Sequence, residues 1–241
     1  MIKYKKSRGN VVFGEVTPAA LACDGEEYWN QCWRHAAGFT CSPPLKRGQR
    51  EKLLEAVVQP EGAVDLIGSH HATYNAKQKA LGIKDFSKIP LGVNGVEARM
   101  SVLWELAVHS GKMTPEKFVE ATSVVPAKML NVYPQKGHIG VGSQADLVIW
   151  DPSATRAFSK DSHNLKVDFN VFEGMVCHGA PETVLVQGKV MVDEGRVRVM
   201  QGFGKFVPLE SNPAFIYDRV RAKADRDNEV AGAQPVARSG H

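Results

Sequence analysis

In the stretch LIGSHHATYNAKQKAL, residues 66–81, an apolar run stops on Gly68-Ser69 and is followed at once by His70 and His71, ahead of a helical pattern. Imidazole ligates zinc and titrates near neutral pH, so a histidine at the mouth of a strand suggests metal-assisted hydrolysis. Adjacent side chains on a strand point to opposite faces, so only one of the pair can serve a given site. The remaining histidines, His35, His109, His138, His163, His178 and His241, show neither His-x-His nor His-Glu-x-x-His spacing. Cys41, between Thr40 and Ser42, could suggest a nucleophile, but no histidine stands at a supporting spacing and a buried thiol is the better reading. GVGS at 140–143 lacks the Gly-x-Gly-x-x-Gly pattern of a phosphate loop and reads as a turn. Ser42 before Pro43-Pro44 and Asn94 before Gly95 read locally as turn and cap residues.

Two textures position these residues. Up to about residue 133 short apolar runs (NVVFGE, AVDLIGS) alternate with helical patterns (EEYWNQCWRHAAGF, QREKLLEAVVQ, VEARMSVLWELAVHSGK), the rhythm of a parallel β/α architecture. Val96, Met100, Leu103, Trp104, Ala107 and Val108 fall on one helical face, Gly111 suits the stop, and Thr114-Pro115 caps the next helix. From about 136 to 208 short strands lie between glycines, with LVIWD, TVLVQGK and KVMVDEGRVRV as the expected strands. A short helix is expected near 213–224 and a mobile tail over 226–241.

The 241 residues, 43% of them apolar, suffice for a sizeable core. No apolar run reaches the roughly 18 residues of a spanning helix, and the basic start MIKYKKSRGN lacks the apolar centre of a signal peptide, so a cytoplasmic location without membrane contact is expected. Cys23, Cys32, Cys41 and Cys177 form no Cys-x-x-Cys pair and read as reduced packing residues. The net charge of +4 concentrates in KYKKSR (3–8) and RVRAKADR (219–226), which read as solvated ends rather than a nucleic-acid surface.

Several strings together resemble one family. KGHIGVGSQADLVIWDP is similar to the C-terminal signature of the amidohydrolase superfamily. NVVFGEVTPAALACDGEEYW, CSPPL, GVNGVEARMSVLWELAVHSGKM, FVEATSVVPAKMLNVYPQKG and FNVFEGM resemble dihydropyrimidinases and their non-catalytic relatives, the collapsin response mediator proteins, over about residues 9–224. The resemblance implies an α/β fold, the C-terminal portion of a (β/α)8 metal-dependent hydrolase barrel, joined to a small antiparallel β-sandwich. The parts would be residues 1–135 for the partial barrel, 136–208 for the sandwich part, 209–225 for a C-terminal helix and 226–241 for the tail.

It also implies the opening of cyclic amides by a hydroxide on two zinc ions, held by four histidines, a carboxylated lysine and one aspartate. NVVFGE matches a strand from the second half of that barrel, so the segments bearing the other ligands are expected to be absent from this chain. At the one ligand position that is kept, the enzymes read Gly-Ser-Asp-His, whereas this chain reads Gly68-Ser69-His70-His71. His70 stands in the aspartate's place and cannot act as an anionic proton acceptor there. Ser42 and Asn94 match positions that meet the polar edge of the substrate ring largely through main-chain groups. No catalytic residue and no cofactor are therefore expected for this chain. The implied reading is a catalytically silent relative; the alternative is part of an active zinc enzyme completed by a longer isoform or subunit. Family members are homotetramers, which implies self-association or association with full-length relatives.

Overall fold

The computed structural model describes residues 1–60 and 62–232; of Ala231 only the backbone is described. The first half carries the expected alternation, with strands much shorter than the apolar runs. NVVFGE contributes only β1 (Glu15–Val16) and AVDLIGS only β2 (Leu66–Ile67); they pair in parallel, Glu15 opposite Leu66 and Val16 opposite Ile67. A single parallel bridge, His71 to Val93, lies beyond them. Around these strands stand α1 (Ile2–Ser7), α2 (Pro18–Ala22), α3 (Trp33–Gly38), α4 (Arg50–Val58) and α5 (Ala76–Lys79). They are followed by α6 (Arg99–Leu103), α7 (Pro115–Val119) and α8 (Val125–Met129).

The apolar stripe of the sixth helix does what its spacing predicts. Leu103 and Ala107 are fully buried, and Met100, Trp104 and Val108 pack against the same core. Val96 is an exception, because it precedes the helix and is exposed. Past Leu103 the helix widens into a π-helical stretch, Trp104–His109, and a second one, Glu120–Val124, joins α7 to α8. Gly111 ends the first at a φ of +73°, a left-handed conformation natural to glycine. The Thr114 side chain accepts from the Lys117 N–H and caps α7, with Pro115 in its first turn.

The second texture becomes a four-stranded antiparallel sheet in the order β3 (Leu147–Ala157), β4 (Val176–Val186), β5 (Lys189–Asp193), β6 (Arg196–Val197). The expected strands are present, and β3 and β4 are longer than predicted. Pro152 and Pro181 interrupt the alternation in sequence, and the ladder accommodates them at irregularities in its register between Ile149 and Trp150 and between Asp151 and Thr155. GVGS forms the turn predicted for it, the Ser143 N–H donating to the Gly140 carbonyl over 3.1 Å.

One of the two apolar clusters joins the halves: Phe158, Val171, Phe172 and Cys177 pack with Ala19, Phe39, Val93 and Val102. The other holds Val16, Leu54, Val57, Ile67, Leu103, Ala107 and Phe118 beneath the parallel strands.

Two expectations need correction at the chain's ends. The last helix, α9 (Ala214–Gly232), runs seven residues beyond the expected end at 225, so residues 226–232 are helical rather than part of a tail; residues 233–241 lie outside the described residues. Charge pairs one turn apart, Asp218 with Arg221 and Lys223 with Asp227, support a helix whose sequence has little apolar periodicity. The two basic clusters are not independent solvated ends either. Phe13 stacks on Phe215 at 5.6 Å with the Arg219 guanidinium over both rings, and Lys6, Arg219 and Arg226 line one cavity of about 310 Å³ with Asp65. All four cysteines are free; Cys23, Cys41 and Cys177 are buried as expected, whereas Cys32 is exposed and packs against nothing that buries it.

Candidate functional site

Ser42 and Asn94 are brought together by a residue that carries no motif. The Gly92 N–H donates to the Thr40 carbonyl over 2.9 Å, which sets the segment leading to Ser42 beside the segment leading to Asn94. Between them lies Lys79, 3% exposed, at the end of α5. Its ammonium donates to the carbonyls of Thr40 (3.0 Å), Pro90 (2.7 Å) and Gly92 (2.9 Å) and to the Thr40 hydroxyl (3.0 Å). The Tyr74 ring lies 5.4 Å from the same nitrogen. No carboxylate pairs with it among the described residues. Desolvation pushes its pKa down from the usual lysine range to about 8. Its approach is fixed by a capping box at the start of α5, in which the Asn75 and Gln78 side chains satisfy each other's backbone donors.

Asn94 is buried, and both the nitrogen and the oxygen of its amide bond to protein. Its Nδ2 donates to Asn170 Oδ1 (2.8 Å), and its Oδ1 accepts from the Val171 N–H (2.9 Å). Asn170 Oδ1 also accepts from the Phe172 N–H (3.0 Å). The FNVFEGM segment is thereby locked to the loop after Val93. Ser42, by contrast, is exposed. Beneath Ser42, Tyr28 donates or accepts at Cys41 Sγ (3.8 Å) and its hydroxyl accepts from the Leu45 N–H (2.8 Å). Burial pushes the Tyr28 hydroxyl and the Cys23 thiol each up to about 12. Neither is a nucleophile at neutral pH.

The two adjacent histidines diverge. His71 turns inward, its Nδ1 accepting from the N–H groups of Gly95 (3.2 Å) and Val96 (3.3 Å). Through this one nitrogen His71 braces the Asn94 loop, engaging two of its backbone donors. His70 is exposed and sits at a φ of +46°. Among the described residues no group of three ligand side chains includes His70. The residues present therefore do not fit a two-zinc centre at this position. Arg99 fixes the neighbouring strand end by donating to the Ile67 carbonyl (2.9 Å) and the Thr122 carbonyl (3.3 Å).

A second constellation escaped the sequence reading. Glu105 and His109, four apart on the π-helical turn, meet His178 of β4, and one ligand atom from each lies within 4.8 Å of the others. Glu105 and His109 are a weak signal without a third partner, and His178 is about seventy residues away in sequence.

Comparison with known proteins agrees with this architecture. The model of the amidohydrolase family matches residues 40–191. Rat dihydropyrimidinase is 49% identical over 223 residues, which cover 92% of this chain and 43% of that protein. Human dihydropyrimidinase-related protein 5 is 40% identical, the match covering 91% of this chain and 39% of that one. The D-hydantoinase (dihydropyrimidinase) structure from a Thermus species superposes with a TM-score of 0.83 at 32% identity, over 88% of this chain and 45% of that one. The chain spans less than half the length of each of these relatives. With the family model running through more than half of its length, the chain belongs to the amidohydrolase family.

Proposed function

We propose that this chain carries the C-terminal part of a dihydropyrimidinase-type cyclic amidohydrolase and that, by itself, it opens no ring. In this reading residues 1–135 form the second half of a (β/α)8 barrel, 136–208 belong to a β-sandwich, and Ser42 and Asn94 sit where the family meets its cyclic amide. The observation that carries it is the contrast between two neighbouring places. The loops bearing Ser42 and Asn94 are held together by Lys79, whereas His70, in the position of the family's aspartate, is exposed and belongs to no ligand group among the described residues. Without a metal-bound hydroxide or an anionic acceptor beside it, a planar amide held by main-chain groups stays intact.

Incubating the purified chain with dihydrouracil and following ring opening by chromatography should show no product above buffer. His70→Asp should not change that, since one carboxylate does not make a metal centre. Product formed by the chain alone sinks this reading. The alternative, part of an active enzyme completed by a longer isoform or subunit, is favoured by the intact loop geometry; ring opening that appears only on mixing with a full-length relative would support it.

The same reading makes the chain a homo-oligomer or a partner of full-length relatives. Among the described residues the parallel sheet has two short strands, and Trp29, Phe86 and Phe206 stand more than 80% exposed. Light scattering after size exclusion should give a particle heavier than the 26.4 kDa chain; a compact monomer would contradict it. No helix among the described residues is long and apolar enough to cross a membrane. The free thiols at Cys23, Cys41 and Cys177 support a reducing, cytosolic setting as part of the proposal.

A further inference from the structure

We propose that Glu105, His109 and His178 bind one divalent transition-metal ion of the zinc class, fastening the π-helical turn to strand β4. Two imidazoles and one carboxylate form a donor set suited to zinc, cobalt or nickel, with room left for water as a further ligand. Three features argue that the set is arranged for more than a surface ion pair.

First, the carboxylate is oriented by the strand: the His178 N–H donates to Glu105 Oε2 over 2.7 Å, and His178 Nδ1 lies 3.1 Å from the same oxygen. Second, His109 stacks on His178 with ring centroids 4.1 Å apart and planes 9° from parallel, although its own ring has no hydrogen-bond partner among the described residues. Third, the backbone behind the site is rigid. Cys177 is fully buried, and Gly179, at a φ of +77°, sits so close to Trp104 that an added Cβ would fall 2.5 Å from the indole.

Ligand atoms around a tetrahedral zinc stand about 3.4 Å apart, given zinc–nitrogen bonds near 2.0–2.1 Å. The present spread, up to 4.8 Å, closes by rotation of His109, the exposed member of the set. Solvent reaches Glu105 through a cavity of about 670 Å³ that Ser110 and Lys112 also line. The site does not involve His70, so its fate is independent of the ring-opening question.

The test uses the full chain after chelator treatment and dialysis. Titration with cobalt(II), read by visible absorption, and with zinc(II), read by calorimetry, should saturate at one ion per chain. Zinc should also raise the melting temperature. His109→Ala and Glu105→Gln should each weaken binding at least tenfold and abolish the zinc-dependent rise. The exposed position of His109 makes its metal-free variant a fair control: its melting temperature should match that of the parent chain. His70→Ala should bind as the parent does. Absence of saturable binding, or equal affinity in a folded His109→Ala chain, overturns the proposal. Loss of binding in His70→Ala with retention in His109→Ala overturns it as well, by placing the ion elsewhere.

Discussion

Replacing Lys79 with methionine should destabilise the chain by about 3–5 kcal/mol, a large share of the roughly 5–15 kcal/mol that holds a typical domain together. Methionine preserves the aliphatic stem but leaves the carbonyls of Thr40, Pro90 and Gly92 without their common donor. Each buried acceptor left unpaired costs about 1–3 kcal/mol before relaxation. Lys79→Arg should not rescue, because the planar fork is larger than the site and cannot converge on four oxygens.

The pH dependence adds a second signature. The folded pKa of Lys79 lies near 8, below its value of 10.5 in a free chain, so between those values the unfolded state holds more protons. Stability from this group therefore rises as pH climbs from about 8 to 10.5. The thiols of Cys23 and Cys177, raised from 9.0 to about 12, pull in the opposite sense above pH 9, because there the unfolded chain has already lost protons that the fold retains. The informative quantity is the difference between parent and Lys79→Met urea curves, in which the thiol contribution cancels. A loss below about 1 kcal/mol at pH 7, or a difference that does not change from pH 8 to 10.5, would show that Lys79 is not the clamp described here.

Little of that clamp was legible in advance. AKQKAL reads as a helical pattern, and nothing in its composition says that Lys79 points into a cage of carbonyls from Thr40, Pro90 and Gly92. Main-chain acceptors leave no residue-type signature, so a site built from them is silent in sequence. The sixth helix was legible for the opposite reason: Leu103 and Ala107 are buried because a stripe of apolar side chains faces a core, and the stripe is written in residue types. The antiparallel strands declared themselves by alternation between glycines, up to the points where Pro152 and Pro181 broke it. Glu105, His109 and His178 were invisible as a group because only the packing of helix on sheet joins them.

The second large effect is expected at Asn170. Asn170→Ala should cost about 2–4 kcal/mol, since it leaves the Asn94 Nδ2 and the Phe172 N–H without their acceptor in a fully packed region. The loss should be cooperative with Asn94. In a double-mutant cycle, Asn94→Ala and Asn170→Ala together should cost at least about 1 kcal/mol less than the sum of the single losses, because either change already breaks the shared bond. Hydrogen exchange provides a local reading: the Val171 N–H, which donates to Asn94 Oδ1, should lose protection in either single variant. Additive losses, or unchanged protection at Val171, would show that the two amides act separately.

The stacking of Phe13 on Phe215 has a consequence for biosynthesis. The two rings are about two hundred residues apart along the chain, and at the ordinary elongation rate of about 5–20 residues per second Phe13 waits some 10–40 s for its cover. Helix α1 meets its partners Gln59 and Asp65 early in that interval, whereas the Phe13 ring still has no Phe215 to stack on. Until α9 emerges, Phe13 lacks the ring it stacks on and is open to chaperones, and α9 is the piece that covers it.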